Sequence, residues 1–475
     1  MTTTCIRSAA WAACWDGARH VYRHDVDIAF TDDAIVHVGP GFAGDVDIEV
    51  DGRARFVMPG LIDIHSHPMT EPAQKGVREE HGVAAMYGSS LYERSVAFHL
   101  DEDGRRAGIE VAYAELLASG VTTLADLSSP FDGWLDFHAQ SGMRVYAAPG
   151  YATALWRLEN DQEILFDWNE GRGRQQFEAA LKLIAEAENH PCGRLRGIVY
   201  PAQIETCSED LLRDSIAAAR DAARPFTTHI AQSVPEFLLI TRKHGKTPIE
   251  YAAELGLLGP GTILGHAIFI DQHSWLHWST RRDLGLIADS GSSVAHCPTP
   301  FSRYGQTLED LGRYIRAGIT MGIGTDCSPH NMLEEMRTAA ILARVTAGDL
   351  ETVSTADVFH AATVGGATAL GRDDLGRLAP GAKADIVLVD LADVTMQPAR
   401  DPLRSLIYTA AERAVRDVYI DGRQVVADGK VLTLDRADAA GRLAEAQARM
   451  LSATPQHDWQ GRAAEEVSPL SLPVG

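Results

Sequence analysis

The sequence predicts an α/β protein: a (β/α)8 TIM barrel with a small β-sandwich domain built from both chain ends. Three observations predict it. Between residues 58 and 377 short apolar runs alternate with amphipathic stretches, the pattern of βα units and a parallel sheet. Eight such runs occur, the number that closes a barrel. The flanking segments, 1–57 and 378–434, instead carry short strands separated by turn residues, with no helical period.

In chain order, strands are expected at 26–30, 34–38 and 47–50. Thr31-Asp32-Asp33, Gly39-Pro40-Gly41 and Asp51-Gly52 supply the turns. The barrel strands are expected at 60–64, 122–125, 144–148, 197–200, 226–229, 262–265, 293–295 and 320–324. Amphipathic stretches such as 175–188, 209–223 and 308–317 lie between them. Strands return at 384–389, 414–420, 424–427 and 430–433 to complete the small domain. The tail, 435–475, begins as a helix over 437–451. It then becomes polar and proline-bearing, and is expected to be surface-bound or flexible.

Composition sets the class. Of 475 residues, 45% are hydrophobic and 23% charged, as in soluble globular proteins. No apolar run approaches the roughly 18 residues of a membrane span. The N-terminus lacks a basic start followed by an apolar core, so no signal peptide is expected. A net charge of −22 disfavours nucleic acid and anionic membranes as partners. Six cysteines without a C-x-x-C pair suit a reducing, cytoplasmic setting.

A barrel presents its chemistry at the C-terminal ends of its strands. His65 and His67 end the first, two residues apart and so on one face. His229, His266, His296 and Asp326 end the fifth to eighth. Imidazoles with a carboxylate and no thiolate suit Zn²⁺, and also Fe²⁺, Mn²⁺ or Co²⁺. Cys327 adjoins Asp326 but belongs to the opposite strand face.

These residues, with PGLIDIHSH at 59–67, GTD at 324–326 and GRLAPGAKADIVLVD at 376–390, resemble the amidohydrolase superfamily of metal-dependent barrels. The resemblance implies His65, His67, His229 and Asp326 as metal ligands. It implies Asp326 as the group that moves a proton from water to the leaving group. His266 is implied as a further ligand, or as a neighbour that polarises the substrate. Two-metal members use a carboxylated lysine on the third or fourth strand; the only lysine nearby, Lys182, lies in a helical stretch. One divalent metal, most simply Zn²⁺, is therefore expected. The chain then resembles the mononuclear branch of cytosine and guanine deaminases and triazine hydrolases. The family's habit implies a homo-oligomer acting on a small molecule.

Departures from that pattern carry the specificity. Deaminases of this branch have an acid three residues after the fifth-strand histidine; here it is Gln232, in HIAQ. A carboxamide bonds but does not shuttle protons. Glu236, one turn on, is a candidate substitute. The loops HCPTPFSRYG and CSPHN introduce Phe301, Tyr304 and His330. With Trp156, Tyr87 and other aromatics such as Phe131, Trp134 and Tyr151, they suggest an apolar pocket. The stretch 69–99, with Met86 and Tyr92, is long enough for a lid. A leaving nitrogen outside a ring needs no ring-protonating acid. The expected reaction is thus cleavage of a urea, amide or (thio)carbamate, as in the phenylurea and thiocarbamate hydrolases this chain resembles. The alternative is hydrolytic deamination or dechlorination of a triazine, pterin or purine.

Overall fold

The computed structural model describes residues 1–77 and 82–474. Eight parallel strands lie at the expected apolar runs, the fourth displaced to 195–197 from the expected 197–200. In one sheet β1 (Leu61–Ser66), β2 (Val121–Asp126), β3 (Arg144–Ala147) and β4 (Leu195–Gly197) are neighbours in sequence order. In a second, β5 (Phe226–Ile230), β6 (Thr262–His266), β7 (Ser293–His296) and β8 (Thr320–Ile323) are likewise. Parallel bridges join the two at both edges, Val199 to Phe226 and Ser66 to Asp326. The eight strands therefore follow one another around a ring. Nearly every strand residue is buried, as expected when side chains fill the interior and helices cover the outside. Ile62, Ile64, Ala125, Tyr146, Ile198 and Ile263 belong to one buried interior cluster.

The two chain ends meet in a pair of sheets. Ile386–Asp390 runs antiparallel to Arg55–Pro59, with Ile386 opposite Pro59. These two strands lie at the centre of a seven-stranded sheet that also holds Trp11–Trp15 and Val415–Ile420. A four-stranded sheet holds Thr3–Ala9, Val26–Thr31, Ala34–Gly39 and Ile48–Asp51. Ile6, Ile28, Phe30, Val57, Ile386 and Leu388 form the core shared by the two sheets.

Besides the strands at 3–9, 11–15, 20–23 and 55–59, which were not expected, two elements outside the small sheets depart from expectation. After β3 the chain forms an antiparallel hairpin, Ala154–Arg157 with Leu165–Trp168, in a stretch without a clean alternating pattern. The C-terminal helix runs from Arg436 to His457, longer than expected, and packs along helix Glu102–Ala118. Ala439, Leu443, Ala446 and Met450 supply its buried stripe. The chain beyond it is also held. Trp459 packs against the cluster of Val83, Met86, Tyr92 and Leu158, and Arg462 pairs with Glu93 at 2.8 Å. Polar composition after residue 451 hid these few anchors. Among the described residues, no helix is long and apolar enough to cross a membrane.

Candidate metal centre

The ends of β1 and β8 are tied together first. Asp63, fully buried on β1, accepts from the backbone N–H of His65 (3.1 Å) and of Thr325 (3.2 Å), and from the Thr325 hydroxyl (2.6 Å). The Asp326 N–H donates to the His65 carbonyl at 2.8 Å, and the His67 N–H donates to the Asp326 carbonyl at 2.9 Å. Gly324 permits this approach: a Cβ there would lie 2.6 Å from the His65 carbonyl oxygen. Asp326 (φ 56°) and His266 (φ 84°) both occupy the left-handed region, where non-glycine residues are strained and functional sites cluster.

His65, His67, His229 and Asp326 converge so that one donor atom from each lies within 4.8 Å of the others. The Nδ1 of His67 faces the Leu127 carbonyl at 2.9 Å, and that of His229 faces the Ala202 carbonyl at 2.7 Å. A carbonyl only accepts, so each Nδ1 carries the hydrogen and each Nε2 keeps its lone pair. Those two Nε2 atoms are 3.1 Å apart. Two facing lone pairs repel unless a cation lies between them. The Asp326 Oδ1 is 3.5 Å from His65 Nε2 and 3.4 Å from His67 Nε2. His65 is fully buried, its Nδ1 has no partner and its Nε2 meets only the Asp326 carboxylate at 3.5 Å, a deficit that a bound cation would relieve. Burial holds His67, His229 and His266 below the usual imidazole range, in the neutral form that ligates metal. Burial by itself would raise Asp326; a hydrogen bond with the His65 ring, and then the electrostatics of His266 and His67, reverse this and hold it well below the carboxylate range. The donor set fits a borderline divalent cation such as Zn²⁺.

A cavity of about 290 Å³ opens over these groups. His266 stands beside the cluster, its ring 4.6 Å from that of His65, with Phe301 edge-on to it at 4.6 Å. Gln232, Phe301, Tyr304 and Trp156 line the cavity, as expected. Tyr87 and His330 do not. Tyr87 is 50% exposed, and its carbonyl rather than its ring is engaged, by Gln306. His330 is buried with its Nδ1 3.9 Å from Glu115, because the chain turns outward after Asp326 to enter helix Met332–Ala347. Trp134 and Tyr151 are core residues, and Phe131 lies under Arg106. Glu236 is not a spare acid: its two oxygens accept from the backbone N–H groups of Ala231 and Gln232, both at 2.7 Å. His296 is buried at the end of β7 outside the cavity lining.

Sequence reasoning missed Gln203 and the Arg94–Glu71 pair (2.9 Å), which also line the cavity. Only the proximity of Glu71 to the H-x-H pair hinted at them. The segment 84–97 reaches the cavity wall through Ser89, Leu91, Arg94 and Ser95, and the Tyr92 hydroxyl bonds Ser233 Oγ at 2.6 Å.

A family model described as "Amidohydrolase family" matches residues 56–425, most of the chain. The chain belongs to the amidohydrolase family. As an amidohydrolase it is a hydrolase of carbon–nitrogen bonds other than peptide bonds. It is 30% identical to a 5-methylthioadenosine/S-adenosylhomocysteine deaminase of Natronomonas pharaonis, over 89% of this chain and 93% of that protein. Among solved structures it is similar to a triazine hydrolase variant, with TM-score 0.80 and 25% identity, over 94% of this chain and 100% of that one. It also shares its fold with a zinc-bound adenosine deaminase of Xanthomonas campestris, with TM-score 0.81 and 24% identity, over 95% of this chain and 99% of that one. These relatives do not support the resemblance to phenylurea and thiocarbamate hydrolases. They favour the alternative, chemistry on an N-heterocycle.

Proposed function

We propose that this amidohydrolase is a metal-dependent hydrolase that removes an exocyclic amino group from a purine-like N-heterocycle. The observation that carries the reading is the His65–His67–His229–Asp326 cluster at the floor of a cavity with aromatic walls. The full-length similarity to a nucleoside-type deaminase supports the choice of substrate class. A divalent ion held by these four residues supplies the Lewis acidity that makes water a nucleophile at neutral pH. Asp326, whose carboxyl stays ionised, takes the water's proton and passes it to the departing nitrogen. Neutral His266 donates an N–H to the heteroatom that gains charge. Gln232 bonds the heterocycle, and Phe301, Tyr304 and Trp156 hold its faces.

A second reading, hydrolysis of a urea or (thio)carbamate, is favoured by one observation: Gln232 stands where the related deaminases carry an acid, and Glu236 is occupied by backbone. A mass-spectrometric screen of the metal-loaded enzyme separates the two. The panel holds adenosine, 5′-deoxyadenosine, 5′-methylthioadenosine, S-adenosylhomocysteine, amino- and chlorotriazines and N-aryl ureas. Ammonia release from an adenine nucleoside is the expected result. Amine release from ureas alone overturns the proposal in favour of the second reading.

A further inference from the structure

A second group of metal-ligating side chains adjoins the four-residue centre. One donor atom each from His65, His266 and Cys297 lies within 4.8 Å of the other two. The three residues are 0%, 1% and 3% exposed. His65 and His266 lie at the ends of β1 and β6. Cys297 follows His296, the last residue of β7, and precedes the short helix Pro298–Ser302. Glycines leave the room for this meeting. A Cβ on Gly324 would lie 2.7 Å from the His65 Cβ and 2.9 Å from the Cys297 Sγ. A Cβ on Gly265 would lie 3.1 Å from the His65 Cε1. The sulfur and the imidazole thus meet over the same glycine of the barrel rim.

Protein groups leave these donors unsatisfied. Among the described residues, the Nδ1 atoms of His65 and His266 are buried without a hydrogen-bond partner. The Cys297 Sγ reaches the Ala295 carbonyl at 3.9 Å, a weak contact for a weak donor. Buried polar atoms are ordinarily paired, so two such nitrogens beside one thiol call for a ligand.

The two groups differ in kind. The four-residue centre offers imidazole nitrogens and a carboxylate oxygen; this one offers two imidazoles and a sulfur. A thiolate is soft and selects soft cations, which a carboxylate does not. His65 belongs to both groups. Two cations so close repel one another in a buried setting, so the two positions exclude each other.

We propose that His65, His266 and Cys297 form a second metal site, selective for soft, thiophilic cations, and that filling it displaces the ion of the four-residue centre. The cation enters past His266, which lines the reaction cavity. Each ring nitrogen and the sulfur donate a lone pair to it, and the thiol proton leaves to solvent. No electron is transferred. The site is independent of which bond the enzyme hydrolyses.

Cadmium(II) is the probe. The zinc-loaded full chain is dialysed to equilibrium against Cd²⁺, then read by ultraviolet absorption and elemental analysis. A thiolate-to-cadmium charge-transfer band is expected in wild type, with zinc lost as the band grows. The band is expected to vanish in Cys297→Ser and in Cys297→Ala. It is expected to persist in Cys327→Ser, whose sulfur adjoins Asp326 instead. It is also expected to persist in His67→Ala, which lacks a ligand of the four-residue centre but keeps all three of these donors. Circular dichroism checks that each variant is folded, and the alanine variant decides where a buried serine hydroxyl unfolds the chain. No band in wild type overturns the proposal, since cadmium then merely replaces zinc among nitrogen and oxygen ligands. A band that survives in the Cys297 variants, or that is lost in Cys327→Ser, belongs to another thiolate and overturns it. Loss in His67→Ala makes the sulfur part of the four-residue centre and overturns a separate site. Cadmium bound with the zinc content unchanged overturns the displacement. Every readout is independent of turnover, so failure of the proposed reaction leaves this test intact.

Discussion

The Nε2 atoms of His67 and His229 stand 3.1 Å apart, each ring anchored through Nδ1 to a backbone carbonyl. The fold thus aims two lone pairs at one point before any cation arrives. His67→Ala or His229→Ala is expected to reduce bound metal to less than about a tenth of the wild-type content, by elemental analysis, with turnover lost. Circular dichroism is expected to be unchanged, because neither ring supports the packing of the barrel. Chelation should lower the melting temperature of wild type and leave these variants unaffected, since a ligand stabilises only the fold that binds it.

Asp63 does not line the cavity, yet it joins His65 to Thr325. Asp63→Asn puts an amide N–H among three donors. Metal affinity is expected to fall about 10- to 100-fold, the usual cost of disturbing the groups behind metal ligands. Stability should fall by about 1–3 kcal/mol. Metal titration and denaturant unfolding read the two effects.

Phe301 packs on His266 and lines the cavity, whereas Tyr87 faces solvent. Phe301→Ala should raise KM about tenfold, through lost stacking and apolar contact. Tyr87→Ala should leave KM within about twofold. Equal effects from the two would mean that Tyr87 also meets the substrate.

The C-terminal tail braces the segment that covers the cavity. Trp459 joins the cluster around Met86 and Tyr92, and Arg462 reaches Glu93. Glu93→Ala alone should cost less than about 1 kcal/mol, as a partly exposed ion pair does. Removing residues 458–475 takes away Trp459 as well. It should raise KM more than it lowers kcat and increase proteolysis near residues 84–97, read by limited digestion.

Asp283 lies far from the metal centre and is fully buried, bonded to the Thr247 hydroxyl at 2.7 Å and the Asp271 N–H at 2.8 Å. Burial raises its carboxyl to about 7. Folded protein therefore holds a proton between the unfolded value near 4 and about pH 7 that unfolded chain has released. This group makes stability fall as pH rises through that window. Asp283→Asn should flatten the slope, measured as the difference in unfolding free energy between the two proteins at pH 5 and pH 8.

The barrel strands were legible because each is an apolar run bounded by turn or helix signals, and because burial on both faces leaves no polar alternation to confuse them. The H-x-H pair and the histidines and aspartate at later strand ends were legible because a parallel barrel puts all its strand ends on one rim. Strands 11–15 and 20–23 were not. Segment 11–15 is a strand through its parallel pairing with 55–59, and 20–23 is one only as the hairpin edge laid against 11–15. The tail's anchors, Trp459 and Arg462 among them, were not legible because they hold a segment whose average composition is polar.

The sequence by itself determined the fold class, the approximate positions of the eight strands and the placing of His65, His67, His229, His266, His296 and Asp326 at strand ends, whereas the choice of four of them as candidate metal ligands came from the family resemblance. Strand spacing and chain connectivity fix the strands and their ends without reference to distant contacts. Only the tertiary structure decided which aromatics reach the cavity. Trp156, Phe301 and Tyr304 do, while Tyr87 turns to solvent and His330 to Glu115. It also decided that Glu236 is spent on backbone. The reason is physical. A loop residue's direction depends on what packs against it from elsewhere in the chain, which local spacing does not encode.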